Sequence, residues 1–570
     1  MTKPTKLTKE KNYSPSVPVI GVFATCDPRI DADARSRAVN IVEMAANIIA
    51  KDVFLPNKDK PEIVWAETLV DGECQADIVA QQFKNAGVNI LVCVPDTWAF
   101  PQLGLISLLA HFPKDTPINL TCGNSGPRPG VVFTHAANGA LAQSGKLVHI
   151  NVGTWPDTGQ KPKMTASTAE ALVDWCYAAL TFVGLKGKRI VLFGHDSMGM
   201  ETALQHIIPT RNTFGIEITR LDMKLLADML KKKAYNKKEL TALRAWFDDL
   251  LGKRIELPTS DDSKRFDQSL AMYLIVRDLM EELNAVGGGF MSQLEWGSDL
   301  RGIPLPVADA MESLFNSTFD HNGRKAPLPY ATEADTQALL TQLFYTWLSG
   351  GNPPLFMDFR KVWEAWEIKA LAKKLKIPMK GKTLWEKKGL VDGDNSGSAS
   401  FDWAAKPGSS IKQIMSKISM PLAGTDYFPG AGNSVTFVSP GGIEGIAGRL
   451  AYSSLNNMFT MFWDEACTVD LPAKLAKAVC NTSTPTWPHT FVVPKYASMV
   501  EYKQYAPANH LHMTWGLKPA RLQYWMDLAN VLSGTPWQAR PNFIEGIDRP
   551  QPLIYLMNGG EAAAKKMLAK

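Results

Sequence analysis

The stretch Val19-Ile20-Gly21-Val22-Phe23-Ala24 is a short apolar run of strand character, and the residues after it change period. Val39, Ile41, Val42, Ala45, Ala46, Ile48 and Ile49 recur broadly as a stripe along a helix over 35–51. A buried strand followed by an amphipathic helix is half of a βαβ unit. The alternation repeats: runs at 62–65, 88–94, 118–122 and 147–152 read as strands, with helices between most of them. A first doubly wound domain is therefore expected up to about Thr165.

Lys161-Pro162-Lys163 breaks the pattern, and Ser167 is placed to cap a helix running to about 183. A second alternating set starts at 189–193 and 216–221, with helical stretches at 238–251 and 263–284. Its last helix, 335–348, stops at Gly350-Gly351. Beyond Asn352, clusters such as Pro429-Gly430-Ala431-Gly432 and Pro440-Gly441-Gly442 separate short extended runs. The expected fold class is α/β: two doubly wound parallel-sheet domains, 1–165 and 166–349, followed by a β-rich C-terminal domain, 350–570.

Composition narrows the function classes. The chain of 570 residues is 45% hydrophobic and 21% charged, as in globular proteins, and its net charge is only +5. The basic runs Lys231-Lys232-Lys233 and Lys565-Lys566 are short and read as solvated helix faces, so no nucleic-acid partner is expected. No run of about 18 apolar residues occurs, so no membrane span is expected. Met1 to Ser14 is polar and lysine-rich and reads as a loose tail rather than a secretory signal. Seven cysteines without a C-x-x-C pair point to reduced thiols and a cytoplasmic protein.

Two acids and a histidine pair in the second half each have a plain reading when taken alone. Glu333 follows Thr332 near the start of the 335–348 helix, where an acid also simply favours the helix dipole. Asp358 ends the run Pro353-Pro354-Leu355-Phe356-Met357; strand ends are where open α/β sheets place ligands, and a local turn or a pair with Arg360 is the plainer reading. His510 and His512 would face the same side of a strand.

Other segments fix the context. Gly126-Pro127-Arg128-Pro129-Gly130, Gly184-Leu185-Lys186-Gly187-Lys188-Arg189, Ser197-Met198-Gly199, Asn316-Ser317-Thr318-Phe319-Asp320, Asn395-Ser396-Gly397-Ser398-Ala399 and Thr486-Trp487-Pro488 occur in an order that resembles the L-fucose isomerase family over nearly the whole chain. The resemblance implies a metal-dependent aldose–ketose isomerase with Glu333, Asp358 and His510 as ligands of a divalent ion, expected to be Mn2+. Glu333 and Asp358 would also move the proton between C1 and C2 through an enediolate. Arg29, Trp98, Gln293, Trp487 and Asn509 fall where the family lines its sugar pocket. Met291, two residues before Gln293, and Asn433 depart from the family pattern, so an L-fucose or D-arabinose type of aldose is expected without a choice between them. The resemblance also implies a homo-oligomer, a hexamer, and residues as far apart in the chain as Trp98 and Glu333 suggest sites shared between subunits.

Rival classes fail at specific residues. Gly430-Ala431-Gly432 continues to Val435 where a dinucleotide fingerprint needs a third glycine, and Met200 stands where the P-loop spacing of Gly194 to Gly199 needs lysine. No G-x-S-x-G elbow of a serine hydrolase is present. A non-catalytic sugar-binding protein on the same fold is the remaining alternative, and it would not require two acids and a histidine.

Overall fold

In the computed structural model, the described residues are 17–156, 159–194, 199–291, 305–394, 399–455 and 457–533. Gln293, the tail at 1–14, Ser197-Met198 and Asn395 to Ser398 lie outside them. The chain divides into two units, one of 17–53 and 60–188, the other of 54–59 and 189–533.

The first unit is built on a parallel sheet of Val19–Phe23 (β1), Glu62–Trp65 (β2), Ile90–Cys93 (β3), Ile118–Gly123 (β4) and His149–Gly153 (β5), in the order β2-β1-β3-β4-β5. All five residues of β1 are buried, which is why its sequence is a continuous apolar run rather than an alternation. A Cβ at Gly21 would lie 2.7 Å from Val88 and 2.8 Å from Phe83, so the bare backbone lets the end of helix Glu73–Asn85 seat on the sheet. Helix Ala32–Asp52 starts at Asp31, whose carboxylate accepts the N–H of Ala34 at 2.7 Å. Helix Ala166–Gly184 belongs to this unit, and its Tyr177 hydroxyl donates to the carbonyl of Asp52. The sheet order reverses between β1 and β3, and the loops leaving those two strands flank the crevice where such sheets take ligands.

The second unit holds two sheets. Arg189–Phe193 (β6), Glu217–Leu221 (β7) and Ala285–Phe290 (β8) pair in parallel. After a small hairpin of Phe319–Asp320 (β9) and Gly323–Arg324 (β10), Tyr330–Ala331 (β11) completes the order β11-β8-β6-β7. The sequence reading did not mark β8, whose Gly287-Gly288-Gly289 core has low strand propensity. The glycines are there because Cβ atoms at Gly288 and Gly289 would come within 2.7 Å of the Tyr330 ring and the Ala331 carbonyl. The expected helices appear as Lys237–Leu251 and Ser260–Glu282, the second closed by a Thr259/Asp262 capping box.

Six strands then form a closed antiparallel ring: Leu355–Glu364 (β12), Gly389–Asp394 (β13), Glu444–Ser453 (β14), Met458–Thr468 (β15), His489–Pro494 (β16) and His510–Trp515 (β17). The ring runs β14-β17-β12-β13-β16-β15 and back to β14, with Leu532–Ser533 (β18) parallel to β15. Closure leaves these six strands with no open edge between first and last. Helix Thr336–Leu348, buried at nearly every residue, packs on β14 and β17. It is stitched there by Thr341, whose hydroxyl accepts the Leu450 N–H, and by Gln337, whose amide oxygen accepts the Tyr452 N–H, both at 2.9 Å.

Gly448 marks the tightest point of that packing. A Cβ there would fall on the Phe462 carbonyl and the Tyr345 hydroxyl and lie 2.9 Å from Trp463 Cβ. Gly448→Ala is expected to destabilise the chain by about 1–3 kcal/mol through overpacking, read as a lower urea midpoint at unchanged slope.

Candidate metal and sugar site

Glu333 owes its position to a sharp backbone reversal. Between β11 and helix Thr336–Leu348 the chain makes one tight turn, Thr332–Ala334, in which Glu333 (φ 59°) and Ala334 (φ 48°) are both left-handed. Neither is a glycine, so each stores on the order of 1–3 kcal/mol that the surrounding packing must hold. The turn brings Asp335 into the N-cap position, where its Oδ1 accepts the N–H of Ala338 at 2.9 Å.

Asp358 and His510 are set by strand register. On adjacent antiparallel strands they are direct partners, and on its other side Asp358 faces Asp394 of β13. Just before β17, Asn509 contributes its carbonyl to the N–H of Phe359 (2.7 Å) and its amide Nδ2 to Asp358 Oδ1 (3.2 Å). Asn509 therefore orients Asp358 as well as standing exposed beside it.

The three side chains meet at one atom. His510 Nε2 lies 3.2 Å from Asp358 Oδ1 and 3.4 Å from Glu333 Oε2, is buried, and makes no hydrogen bond among the described residues. The opposite nitrogen, Nδ1, is held by Asp335 Oδ2 at 2.6 Å. Asp335 in turn takes a two-point contact from Arg449, Nη2 to Oδ1 and Nη1 to Oδ2, both 2.9 Å, with both side chains buried. A carboxylate on the far nitrogen of an imidazole is how proteins fix a ligating histidine. No three acidic, histidine or cysteine side chains among the described residues are already spread around a metal-sized point. Instead the two carboxylates lean on the nitrogen itself, and the donor set of one imidazole and two carboxylate oxygens fits a hard divalent ion once they part.

The electrostatics follow the same geometry. Burial opposes a charge on His510, yet Asp358, Asp335 and Glu333 together raise its pKa well above the ordinary value. Burial would push the Asp335 carboxyl up, but Arg449 and His510 hold it well below the usual carboxylate range. His512 is a buried neighbour of different character: burial and Arg449 lower its pKa well below the ordinary value, and it packs edge-on to Phe356, 4.8 Å between ring centres.

The remaining expected pocket residues fall in both units. In the first unit, Arg29 follows β1 and Trp98 follows β3, the two strands at the reversal of sheet order, and both meet Phe100: the guanidinium 5.5 Å from its ring centre, the indole edge-on at 5.9 Å. Arg29 is fixed by a fork to Asp27, with Nε and Nη2 at 2.8 and 2.6 Å from the two carboxylate oxygens, and its side chain is 72% exposed. Trp487 is mostly buried among Val307, Ala423 and Phe428 and carries the Arg360 guanidinium over its ring at 5.4 Å. Asn433 is buried and spends its amide on the carbonyls of Glu256 and Met420. Asp335 and Arg449 are the residues that sequence reasoning missed. The first had a signal, an Asp directly before a helix; the second had none.

Asp335→Asn leaves Arg449 as a buried charge without its counter-ion, and the expected loss is about 3–5 kcal/mol in urea unfolding. Adding Arg449→Met to that variant is expected to recover most of the loss. Simple additivity of the two substitutions would show that the pair is not coupled.

Comparison with known proteins places the chain. Residues 17–187 match the family model for the first N-terminal domain of L-fucose isomerase, and residues 188–350 match the model for its second N-terminal domain. The chain is 26% identical over 565 residues to an L-fucose isomerase of Vibrio vulnificus (strain YJ016), covering 90% of this chain and 92% of that one. It is 24% identical to an L-fucose isomerase of Haemophilus influenzae (strain PittEE), with 84% of each chain covered, and 24% identical to one of Salmonella typhi, with 84% and 85% covered. With two consecutive domain models matched in order and full-length relatives of one name, the chain belongs to the L-fucose isomerase family and is an aldose–ketose isomerase.

Proposed function

We propose that Glu333, Asp358 and His510 hold a divalent metal ion, Mn2+ by the chemistry of the donors, and that the chain interconverts an aldose of L-fucose or D-arabinose type with its ketose. The observation that supports this most is the buried His510 Nε2, facing two carboxylate oxygens while Asp335 fixes the other ring nitrogen. When bound, the ion supplies Lewis-acid polarisation of the sugar's C1 and C2 oxygens. The chain's own groups do the rest. One of the carboxylates Glu333 and Asp358 removes the proton from C2 and the pair returns one to C1, so that charge passes through an enediolate. Asn509 steadies Asp358 through its amide during that transfer. Asp335 keeps a proton on Nδ1 of His510, so that it is Nε2 that offers the electron pair when the ring gives up its second proton. Two acids converging on one imidazole serve this reaction better than the alternative of sugar binding without catalysis.

All seven cysteines are unpaired, which supports a reducing, cytoplasmic setting, and no helix among the described residues is long and apolar enough to cross a membrane. A hexamer is the assembly proposed, and light scattering is expected to give the mass of six chains; a monomer that turns over would overturn it.

Chelation and dialysis are expected to abolish isomerisation and added Mn2+ to restore it. Glu333→Gln or Asp358→Asn should lower kcat by about 10²–10⁴-fold with an unchanged circular dichroism spectrum, as for loss of a positioned acid or base. Full activity of the dialysed protein would sink the metal assignment. Because Met291 and Asn433 depart from the family pattern, the preferred sugar is to be read from a panel of aldoses run in deuterated water, where conversion of L-fucose or D-arabinose is expected with deuterium entering the product. A panel in which neither sugar is converted would refute the substrate class.

A further inference from the structure

Strand β17 carries His510 at its first residue and Trp515 at its last, so the two ends stand roughly 17 Å apart along an extended chain. At the Trp515 end, wholly within the second unit, lies a separate cavity of about 460 Å³. It is bounded by the 54–59 segment, the β10 hairpin, the approach to β12 and the loop at 406–409, and it is in the range of small-molecule sites.

Its charge is lopsided. Lys58, Arg324, Lys325 and Lys406 line it against a single acid, Asp402. That acid is already engaged, accepting from the Thr318 N–H (2.8 Å), the Thr318 hydroxyl (2.6 Å) and the Ser400 hydroxyl (3.0 Å), with Arg324 at 3.6 Å. The cations are anchored mainly by neutral dipoles. Lys58 Nζ donates to the Gly350 carbonyl (2.6 Å) and the Asn352 side-chain oxygen, Lys325 Nζ to the carbonyls of Phe315 and Ser317, and Lys406 Nζ to the Gly441 carbonyl. Arg324 donates from Nη1 to the Thr318 hydroxyl and from Nη2 to the Ser409 carbonyl, with its guanidinium 5.6 Å from the Phe319 ring centre. Hydrogen bonds to carbonyls fix where a charge sits without neutralising it, so the cavity keeps a positive field with preset donors.

Two further features point the same way. Lys58 sits at φ 69° in a tight turn closed by its own N–H to the Leu55 carbonyl (2.9 Å), which fixes its place on the cavity rim. Burial pushes the Lys325 ammonium down to about 8 against the pull of Asp320 and Asp402, and an anion in the cavity would offset that cost. Pro353, Pro407, Ile414 and Trp515 give the cavity an apolar side.

We propose that this cavity binds a phosphoryl dianion, either free phosphate or the head of a small phosphomonoester, with Arg324 and Lys406 as its donors and Trp515 and the prolines against the ester's carbon chain. Arg324 suits the role because a guanidinium presents five donors in a fixed fork, and its bonds among the described residues come from Nη1 and Nη2. The assignment is independent of the metal reading, since none of its residues is a proposed metal ligand.

Calorimetric titration of the full chain at constant ionic strength tests it, with inorganic phosphate, glycerol 3-phosphate and glycerol as separate titrants. Saturable uptake of one phosphorylated titrant per chain is expected, with no heat from glycerol. Tighter binding of glycerol 3-phosphate assigns the site to an ester, and equal or tighter binding of phosphate assigns it to the free anion. Arg324→Gln and Lys406→Gln should each weaken binding by about tenfold, as for loss of a charge-assisted contact, while Glu333→Gln leaves it unchanged. Lys406→Gln, on an exposed loop, carries the test if Arg324→Gln does not fold. Absence of saturable uptake, or affinity unaltered in the Lys406 variant, would overturn the proposal.

Discussion

One buried carboxylate, that of Asp335, holds the second unit together. It caps helix Thr336–Leu348 through the Ala338 N–H, takes the forked contact of Arg449 from β14, and fixes His510 at the head of β17. Burying a carboxylate is expensive unless every oxygen is satisfied by charge or hydrogen bonds, and here both are. The benefit is geometric: helix start, barrel wall and imidazole share one anchor, so none shifts without the others. The same anchor decides which histidine nitrogen faces the two acids.

Glu333 depends on that anchor because its own backbone is unfavourable. Two successive left-handed non-glycine residues would relax in an isolated turn. They persist because β11 is pinned behind them and Asp335 is capped and ion-paired in front. The pinning rests on β8, where Gly288 and Gly289 let Tyr330 and Ala331 approach closer than any side chain would permit. The glycine run, unpromising as a strand, is thus the support of the strained turn at Glu333.

How much of this was legible in the sequence differs by element. The first sheet could be read directly, since fully buried parallel strands and striped helices leave opposite periodicities. The helix after Glu333 and the β-rich texture beyond residue 352 were also visible. The closed ring was not, because strand pairing across more than a hundred residues leaves no local pattern, as with β12 and β17. For the same reason Glu333, Asp358 and His510 were found by resemblance to a family rather than by spacing. Trp487, given by the same route, is mostly buried and carries Arg360 over its ring, so it contributes to packing whatever else it does.

The closed ring and the strained turn divide the labour of the site. Asp358 and His510 sit on one rung of an antiparallel pair, and a slip of one residue would send both side chains to the opposite face. In an open sheet such a slip could begin at an edge; in a ring it must move six strands at once. The backbones of two of the three converging residues are therefore fixed by topology, and only their side-chain torsions are left to adjust. Glu333 arrives from another sheet on a strained turn that β11 and the capped, ion-paired Asp335 hold in place. Any room between Asp358, Glu333 and His510 therefore has to come from side-chain torsions of the two carboxylates rather than from movement of the backbone.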